Sequence, residues 1–136
     1  MDGLRMRWPW MRPPLTRQEL GALGERHAAR LLRAKGLRLL EANFRLRQGE
    51  LDLIARDGDC LVCVEVRTRT SADLLSPLAS VDAEKQARII RLAHAYQRAH
   101  RLHDCALRYD VVEVIATTNG QIVEISHYPG AFLEGR

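Results

Sequence analysis

Several features common in other classes of protein are scarce in this sequence. Cysteine occurs only three times in 136 residues, and an odd, small number argues against a disulfide framework and indicates a reducing, cytoplasmic compartment. No run of 18 or more apolar residues is present, so a membrane-spanning helix is not predicted. The first fifteen residues mix Arg, Trp and Pro, and they lack the continuous apolar region of a secretory signal.

Familiar catalytic signatures are also missing. The chain contains no glycine-rich phosphate loop, no dinucleotide-binding fingerprint and no Ser-His-Asp order. The pair Cys60-x-x-Cys63 is predicted to lie on one strand, where a spacing of three places the two thiols on opposite faces, so a zinc site is not predicted. Lysine is rare, since Lys35 and Lys85 are the only two.

Charge is distributed unevenly along the chain. Residues 1–48 contain eleven Lys and Arg against four Asp and Glu, a balance of +7, whereas the remainder has a balance of −3. A basic face beside an acidic cluster is typical of enzymes that act on phosphodiesters, because the cations hold the backbone and the acids hold a metal. A solvated helix surface explains the same charges equally well.

Capping and periodicity predict one α/β domain over residues 16–136, preceded by a flexible basic arm at residues 1–15. Thr16 and Glu19 form a capping-box pattern, and Gly36 is a natural helix stop. The predicted elements are a helix over 16–35, strands over 37–43, 50–56 and 60–67, a loop over 68–80, a helix over 82–100, and strands over 105–116 and 121–127. This order predicts a mixed sheet with flanking helices.

Two acids interrupt otherwise apolar strands. Glu65 and Arg67 are two residues apart and share a strand face, and a hairpin around Asp57-Gly58 would bring Asp52 beside Glu65. Burying an unpaired carboxylate is costly. One interpretation pairs Glu65 with Arg67 or a neighbouring arginine, and the other places a divalent cation between Asp52 and Glu65.

These residues belong to a longer ordered pattern. Its segments are Asn43-x-Arg45, Gly49-Glu50-Leu51-Asp52-Leu53-Ile54, Val64-Glu65-Val66-Arg67-x-Arg69, Val81-Asp82-x-x-Lys85-Gln86-x-Arg88 and Arg108-Tyr109-Asp110-Val111-Val112. Over about residues 17–130 the chain resembles the YraN-type family of uncharacterised proteins. That family is similar to PD-(D/E)xK nucleases, in particular to archaeal Holliday-junction resolvases.

The resemblance implies a restriction-endonuclease-like fold, with a mixed central sheet flanked by helices. It further implies that Asp52 and Glu65 bind Mg²⁺ or Mn²⁺. Glu25, in Gly21-x-x-Gly24-Glu25, matches the additional acid of resolvase-like members. Resolvase-like relatives also suggest a homodimer. Spacing alone favours an ordinary surface residue of the first helix for Glu25.

One position departs from the nuclease motif, which ends in Lys where this chain has Arg67. Arginine stays protonated and cannot act as a general base, although it can hold a phosphate. Lys85, at the start of the second helix, could supply an amine near the site, and its alternative is an ordinary surface lysine. Asp110, an acid within a strand, is expected to pair with an arginine.

Three functions follow from these observations. The first is a Mg²⁺-dependent nuclease acting on DNA, including branched or repair intermediates. The second is a nucleic-acid-binding protein that keeps the nuclease fold without turnover. The third is a small interaction protein whose acids only pair with arginines.

Overall fold

The computed structural model describes Trp8 and residues 13–70 and 81–134. In chain order the elements are α1 (Arg17–Ala34), β1 (Arg38–Leu46), β2 (Gly49–Asp57), β3 (Cys60–Thr70), α2 (Ala83–Ala99), β4 (Ala106–Ala116) and β5 (Ile122–Phe132). The predicted order of helices and strands is therefore confirmed.

The strands form one mixed sheet in the order β1-β2-β3-β4-β5. Strands β3 and β4 are parallel, and the other three pairs are antiparallel. A parallel pair needs a long crossover connection, and α2 lies within that connection. The predicted α/β class with a mixed sheet is confirmed, and the architecture is consistent with a restriction-endonuclease-like fold.

The two helices cover opposite faces of the sheet and create two separate cores. Ala28 and Leu32 of α1 pack with one set of strand residues. Ile89 and Leu92 of α2 pack with the other set. Because each sheet face has its own core, β3 and β4 are buried on both sides, as their continuous apolar runs require.

The predicted helix ends are confirmed. Thr16 and Glu19 form both bonds of the capping box, which satisfies otherwise unpaired N–H groups in the first turn of α1. Gly36 follows the helix with φ of 92°, a left-handed conformation that glycine adopts without strain. Asp82 caps α2 by accepting from the Lys85 N–H at 2.8 Å.

Three strands are longer than the sequence predicts, because pairing partners extend them beyond their apolar cores. β1 continues to Leu46, which pairs with Gly49, and β5 continues to Phe132, which pairs with Tyr109. β3 continues to Thr70 alongside β4. The prediction that residues 68–70 belong to a loop is therefore wrong, and the remainder of that loop, 71–80, lies outside the described residues.

The alternation of side chains along β2 is broken at Asp52. Leu51 packs in the core under α2, whereas Leu53 packs in the core under α1, although residues two apart ordinarily share a face. Asn43 on β1 lies opposite this break, between paired positions 42 and 44, and has φ of 55°. The side chains of β2 therefore do not alternate without interruption, and both strands change face at the same level.

Asp110 on β4 is fully buried and has four hydrogen-bond donors around it. Arg108 donates from Nε and Nη2 at 2.9 and 3.0 Å, His127 Nε2 donates at 2.8 Å, and the Gly130 N–H donates at 3.0 Å. Burial acts to raise the pKa of Asp110, but these hydrogen bonds outweigh it and lower the pKa. The expected pairing with an arginine is confirmed, and the network ties β5 to β4.

The amino-terminal arm lies largely outside the described residues. Leu15, the last residue of its predicted span, donates its N–H to the Thr118 carbonyl at 2.9 Å. Neither described helix has the length and apolar character needed to cross a membrane. Cys60 and Cys63 are free thiols associated with opposite cores, as their spacing predicts.

Candidate functional site

Asp52 and Glu65 meet where β2 separates from β3. The ladder between these strands ends at Leu53 and Val64. Beyond this last pair, the Val66 N–H donates to a side chain, the Asp52 carboxylate, at 2.8 Å. Glu65 is only 7% exposed, and its side chain is hydrogen-bonded to Asp52. The predicted proximity of the two acids is therefore confirmed.

This arrangement makes ionisation of Asp52 unfavourable. Burial first, then repulsion from Glu65, raise the pKa of Asp52 to about 8, and Glu25 adds to the effect. The bond from Val66 N–H acts in the opposite direction but does not compensate. Without an additional cation, Asp52 therefore holds a proton at neutral pH, and a bound cation would have to displace it.

Glu25 joins the same cluster from α1. Burial raises its pKa, and the negative charges of Glu50 and Glu65 raise it further. Glu25 is only partly exposed. The interpretation of Glu25 as an ordinary surface residue does not account for this electrostatic coupling to two acids on the sheet.

Asn43 and Glu50 also belong to the cluster, although no role for them is predicted from the sequence. With its amide nitrogen turned toward the acids, Asn43 lies 3.2 Å from Glu25 Oε2 and 2.6 Å from Glu50 Oε1. Arg45 pairs with Glu50 at 3.2 Å. The sequence did contain a signal for this part of the cluster, because Asn43, Arg45 and Glu50 stand in the same family-like motif as Asp52. Strand periodicity, however, gives no reason for an asparagine with positive φ.

Two cations approach Glu65. Lys85 Nζ lies 2.5 Å from Glu65 Oε1, and Arg67 Nη1 lies 3.9 Å from the same oxygen. The expected position of Lys85 near the site is thus confirmed. Pairing of Glu65 with a cation is also observed, but the nearer partner is a lysine of α2.

Arg67 borders a groove that lies beside the acids. Its Nε atom is buried and has no hydrogen-bond partner among the described residues, and leaving such a donor unpaired is costly. The groove has a volume of about 700 Å³ and is also bordered by Arg17, Glu25 and Arg69. Arg69 is ion-paired with Glu113 of β4. The Arg67 side chain is nevertheless 33% exposed, so its guanidinium donors other than the buried Nε could bind a phosphate.

The close approach of α1 to β3 depends on Gly24, which immediately precedes Glu25. A Cβ atom at Gly24 would overlap the side chain of Thr68. A Cβ at Gly21, one turn earlier, would meet nothing within 4 Å. Gly24 thus allows the helix to lie near enough to the sheet for Glu25 to reach the other acids.

We expect Gly24→Ala to destabilise the protein by about 1–3 kcal/mol, because the added methyl group forces α1 away from β3. Gly21→Ala is the matched control, and it should leave stability unchanged or raise it by up to about 1 kcal/mol, since alanine is the better helix former. Urea unfolding followed by circular dichroism measures both. Equal effects of the two substitutions would show that the contact with Thr68 is unimportant.

The acids do not form a preassembled multidentate cage. Among residues 13–70 and 81–134, no group of three or more His, Cys, Asp and Glu side chains is placed to hold a metal ion together. The available oxygen ligands are the adjacent carboxylates of Asp52 and Glu65. A cation held here would have to accept most of its ligands from water or from a substrate, as Mg²⁺ commonly does.

The mixed sheet, its two covering helices and the carboxylate pair between diverging strands define an α/β protein consistent with the restriction-endonuclease-like class. Residues 24–114 match the family described as "Uncharacterised protein family UPF0102". This chain belongs to that family, which confirms the resemblance to the YraN-type family stated from the motifs.

Individual relatives support this membership. A UPF0102 protein of Dictyoglomus turgidum is 36% identical over 118 residues, covering 87% of this chain and 100% of the relative. A UPF0102 protein of Beutenbergia cavernae is 44% identical over 115 residues, covering 85% and 97%. A UPF0102 protein of Herminiimonas arsenicoxydans is 44% identical over 106 residues, covering 78% and 85%.

Proposed function

We propose that this protein is a cytoplasmic, Mg²⁺- or Mn²⁺-dependent nuclease that acts on DNA, including branched or repair intermediates. The observation that carries the proposal is the close placement of the partly buried Asp52 beside the buried Glu65, with Lys85 Nζ 2.5 Å from Glu65. Two acids where β2 and β3 diverge, with an amine beside them, reproduce the donor types of the PD-(D/E)xK motif, although the amine comes from α2.

The residues present suit a divalent cation. Asp52 and Glu65 offer hard oxygen ligands. Burial first, and then repulsion from Glu65, raise the pKa of Asp52 to about 8, and added positive charge would relieve the repulsion. When bound, such an ion supplies Lewis-acid activation of the phosphodiester and of water. Such an ion would also explain why the partly buried Asp52 stands next to the buried Glu65, because a carboxylate removed from water needs a positive charge or hydrogen-bond donors.

The remaining charged residues have distinct roles in this proposal. Lys85 takes the place of the missing motif lysine, because a lysine amine can carry or release a proton whereas the Arg67 guanidinium cannot. Arg67, whose side chain is 33% exposed beside the acids, holds a phosphate through guanidinium donors other than the buried Nε. Glu25 is the additional acid that helps to orient the attacking water.

The test is cleavage of labelled branched, single-stranded and duplex DNA in Mg²⁺, Mn²⁺ or EDTA. We expect cleavage by the wild type only with a divalent cation, and none by Glu65→Gln, which keeps the shape but loses the charge. Glu124→Gln changes an exposed acid on β5 and is the matched control. The assignment fails if Glu65→Gln and Glu124→Gln cleave equally well.

A second candidate is a protein that binds nucleic acid without cutting it. It is favoured by the contacts of Glu65 with Lys85 and Arg67, which neutralise one acid without any metal. In that case, DNA binding should fall steeply with salt, and no metal should produce cleavage.

A homodimer, suggested by resolvase-like relatives, stays a prediction for either candidate and is tested by analytical ultracentrifugation.

A further inference from the structure

A long groove lies between α1 and β1 and is separate from the one beside Arg67. Its volume is about 750 Å³, within the range of roughly 300–1,000 Å³ that holds ligands of nucleotide size. Leu23 and Ala29 of α1 and Leu53 of β2 contribute aliphatic surface to its lining. A smaller depression of about 230 Å³ shares Ala29 and Leu53 and extends it along β1.

Three arginines follow this groove along α1. Arg26, Arg30 and Arg33 border it, all three are exposed, and their spacing of four and seven residues places them on one helix face. They span about 10 Å of helix. No side-chain hydrogen bond or ion pair within the described part of the chain engages them, so their charges are available to a ligand.

One end of the groove reaches the candidate site. Glu25 and Asn43 both border it, and both belong to the acidic cluster. Glu19, the other acid on its rim, is occupied by the capping box with Thr16. A polyanion bound along the three arginines would therefore extend toward the acids at this end of the groove.

We propose that this groove binds an unpaired strand of DNA, with its phosphates along the arginines and its bases against the aliphatic surface. An unpaired strand exposes base faces that can lie on apolar side chains or guanidinium planes, whereas a duplex keeps those faces stacked inside. The inference rests on the proposed function, because it names the form of DNA that the acidic cluster receives.

The experiment measures binding and not cleavage. Fluorescence anisotropy in EDTA compares a short labelled oligothymidine with a duplex of the same length, for wild type, Arg26→Ala/Arg33→Ala and Arg91→Ala/Arg98→Ala. The second pair has the same seven-residue spacing and charge change on exposed positions of α2, so it is a matched control. Circular dichroism confirms that the variants are folded.

We expect Arg26→Ala/Arg33→Ala to weaken single-strand binding by at least about tenfold and to reduce the slope of log K against log salt by about 1.4. The α2 pair should change the Kd by less than about twofold. Equal losses for the two pairs, or equal binding of the duplex and the single strand by the wild type, would overturn the inference.

The two proposals fail separately. If the wild type cleaves DNA with a metal and Arg26→Ala/Arg33→Ala binds the single strand as the wild type does, the nuclease function stands and the groove is not the binding site. If that variant loses binding but the wild type does not cleave DNA with any metal, the groove is supported as the binding site and the nuclease function is excluded.

Discussion

Replacing Asp52 with asparagine is expected to abolish metal-dependent cleavage, by about 1,000-fold or more, and at the same time to stabilise the metal-free protein. Asparagine retains an oxygen that can accept from the Val66 N–H but removes the charge that Glu65 and Glu25 oppose. Function and stability therefore change in opposite directions, which is typical of residues whose unfavourable environment serves a site.

The stability gain should depend on pH in a defined direction. Because the pKa of Asp52 is raised to about 8 in the folded protein, the folded state binds the extra proton and wild-type stability falls as pH rises between about 4 and 8. Asp52→Asn removes this loss. We expect little difference at pH 4 and a melting temperature about 3–8 °C above wild type at pH 8.5, or roughly 1–2 kcal/mol.

Differential scanning fluorimetry across this pH range, with EDTA or Mn²⁺, measures both effects. Mn²⁺ should raise the melting temperature of the wild type and not that of Asp52→Asn. Asp59→Asn removes an exposed acid from the β2–β3 turn and is the matched control. A gain that is the same at every pH, or a Mn²⁺ shift that persists in Asp52→Asn, would contradict the assignment of Asp52.

Asp110→Ala is expected to lower the free energy of unfolding by about 3–5 kcal/mol, because it leaves Arg108 and His127 without their buried acceptor. It also removes the acceptor of the Gly130 N–H, which ties the end of β5 to β4. The melting temperature should fall by roughly 10–20 °C. Chemical unfolding in guanidinium chloride measures the loss directly.

Glu124→Ala provides the comparison for Asp110→Ala, since Glu124 is an exposed acid on β5. Its effect should stay within about 0.5 kcal/mol. If both variants unfold at the same denaturant concentration, the buried network has no particular importance. The contrast also separates the structural acid of β4 from the acids of the candidate site, whose removal should not destabilise the fold.

The sequence predicted the order of the elements because local signals were strong. Capping residues such as Thr16 and Asp82, and runs of β-branched residues, act within a few positions of the chain. Strand ends were predicted less well. β3 extends to Thr70 and β5 to Phe132 because of partners on β4 that are distant in sequence, and local patterns cannot reveal such partners.

The candidate site was predicted in part. Strand spacing brought Asp52 near Glu65, and the family resemblance added Glu25. The scarcity of lysine singled out Lys85. Asn43 could not be placed, because its role depends on a positive φ at a level where β1 and β2 both change face. Periodicity assumes that strands alternate without interruption, and the site lies where that assumption fails.

The division of the interior into two cores has a consequence for the candidate site, which takes Glu25 from α1, Lys85 from α2 and two acids from the sheet between them. Each helix is attached through a different core, so either could detach while the other remained packed. A chain in such a half-open state would keep its sheet but lose one member of the charge cluster. The complete charge cluster therefore exists only when both helices are packed on the sheet.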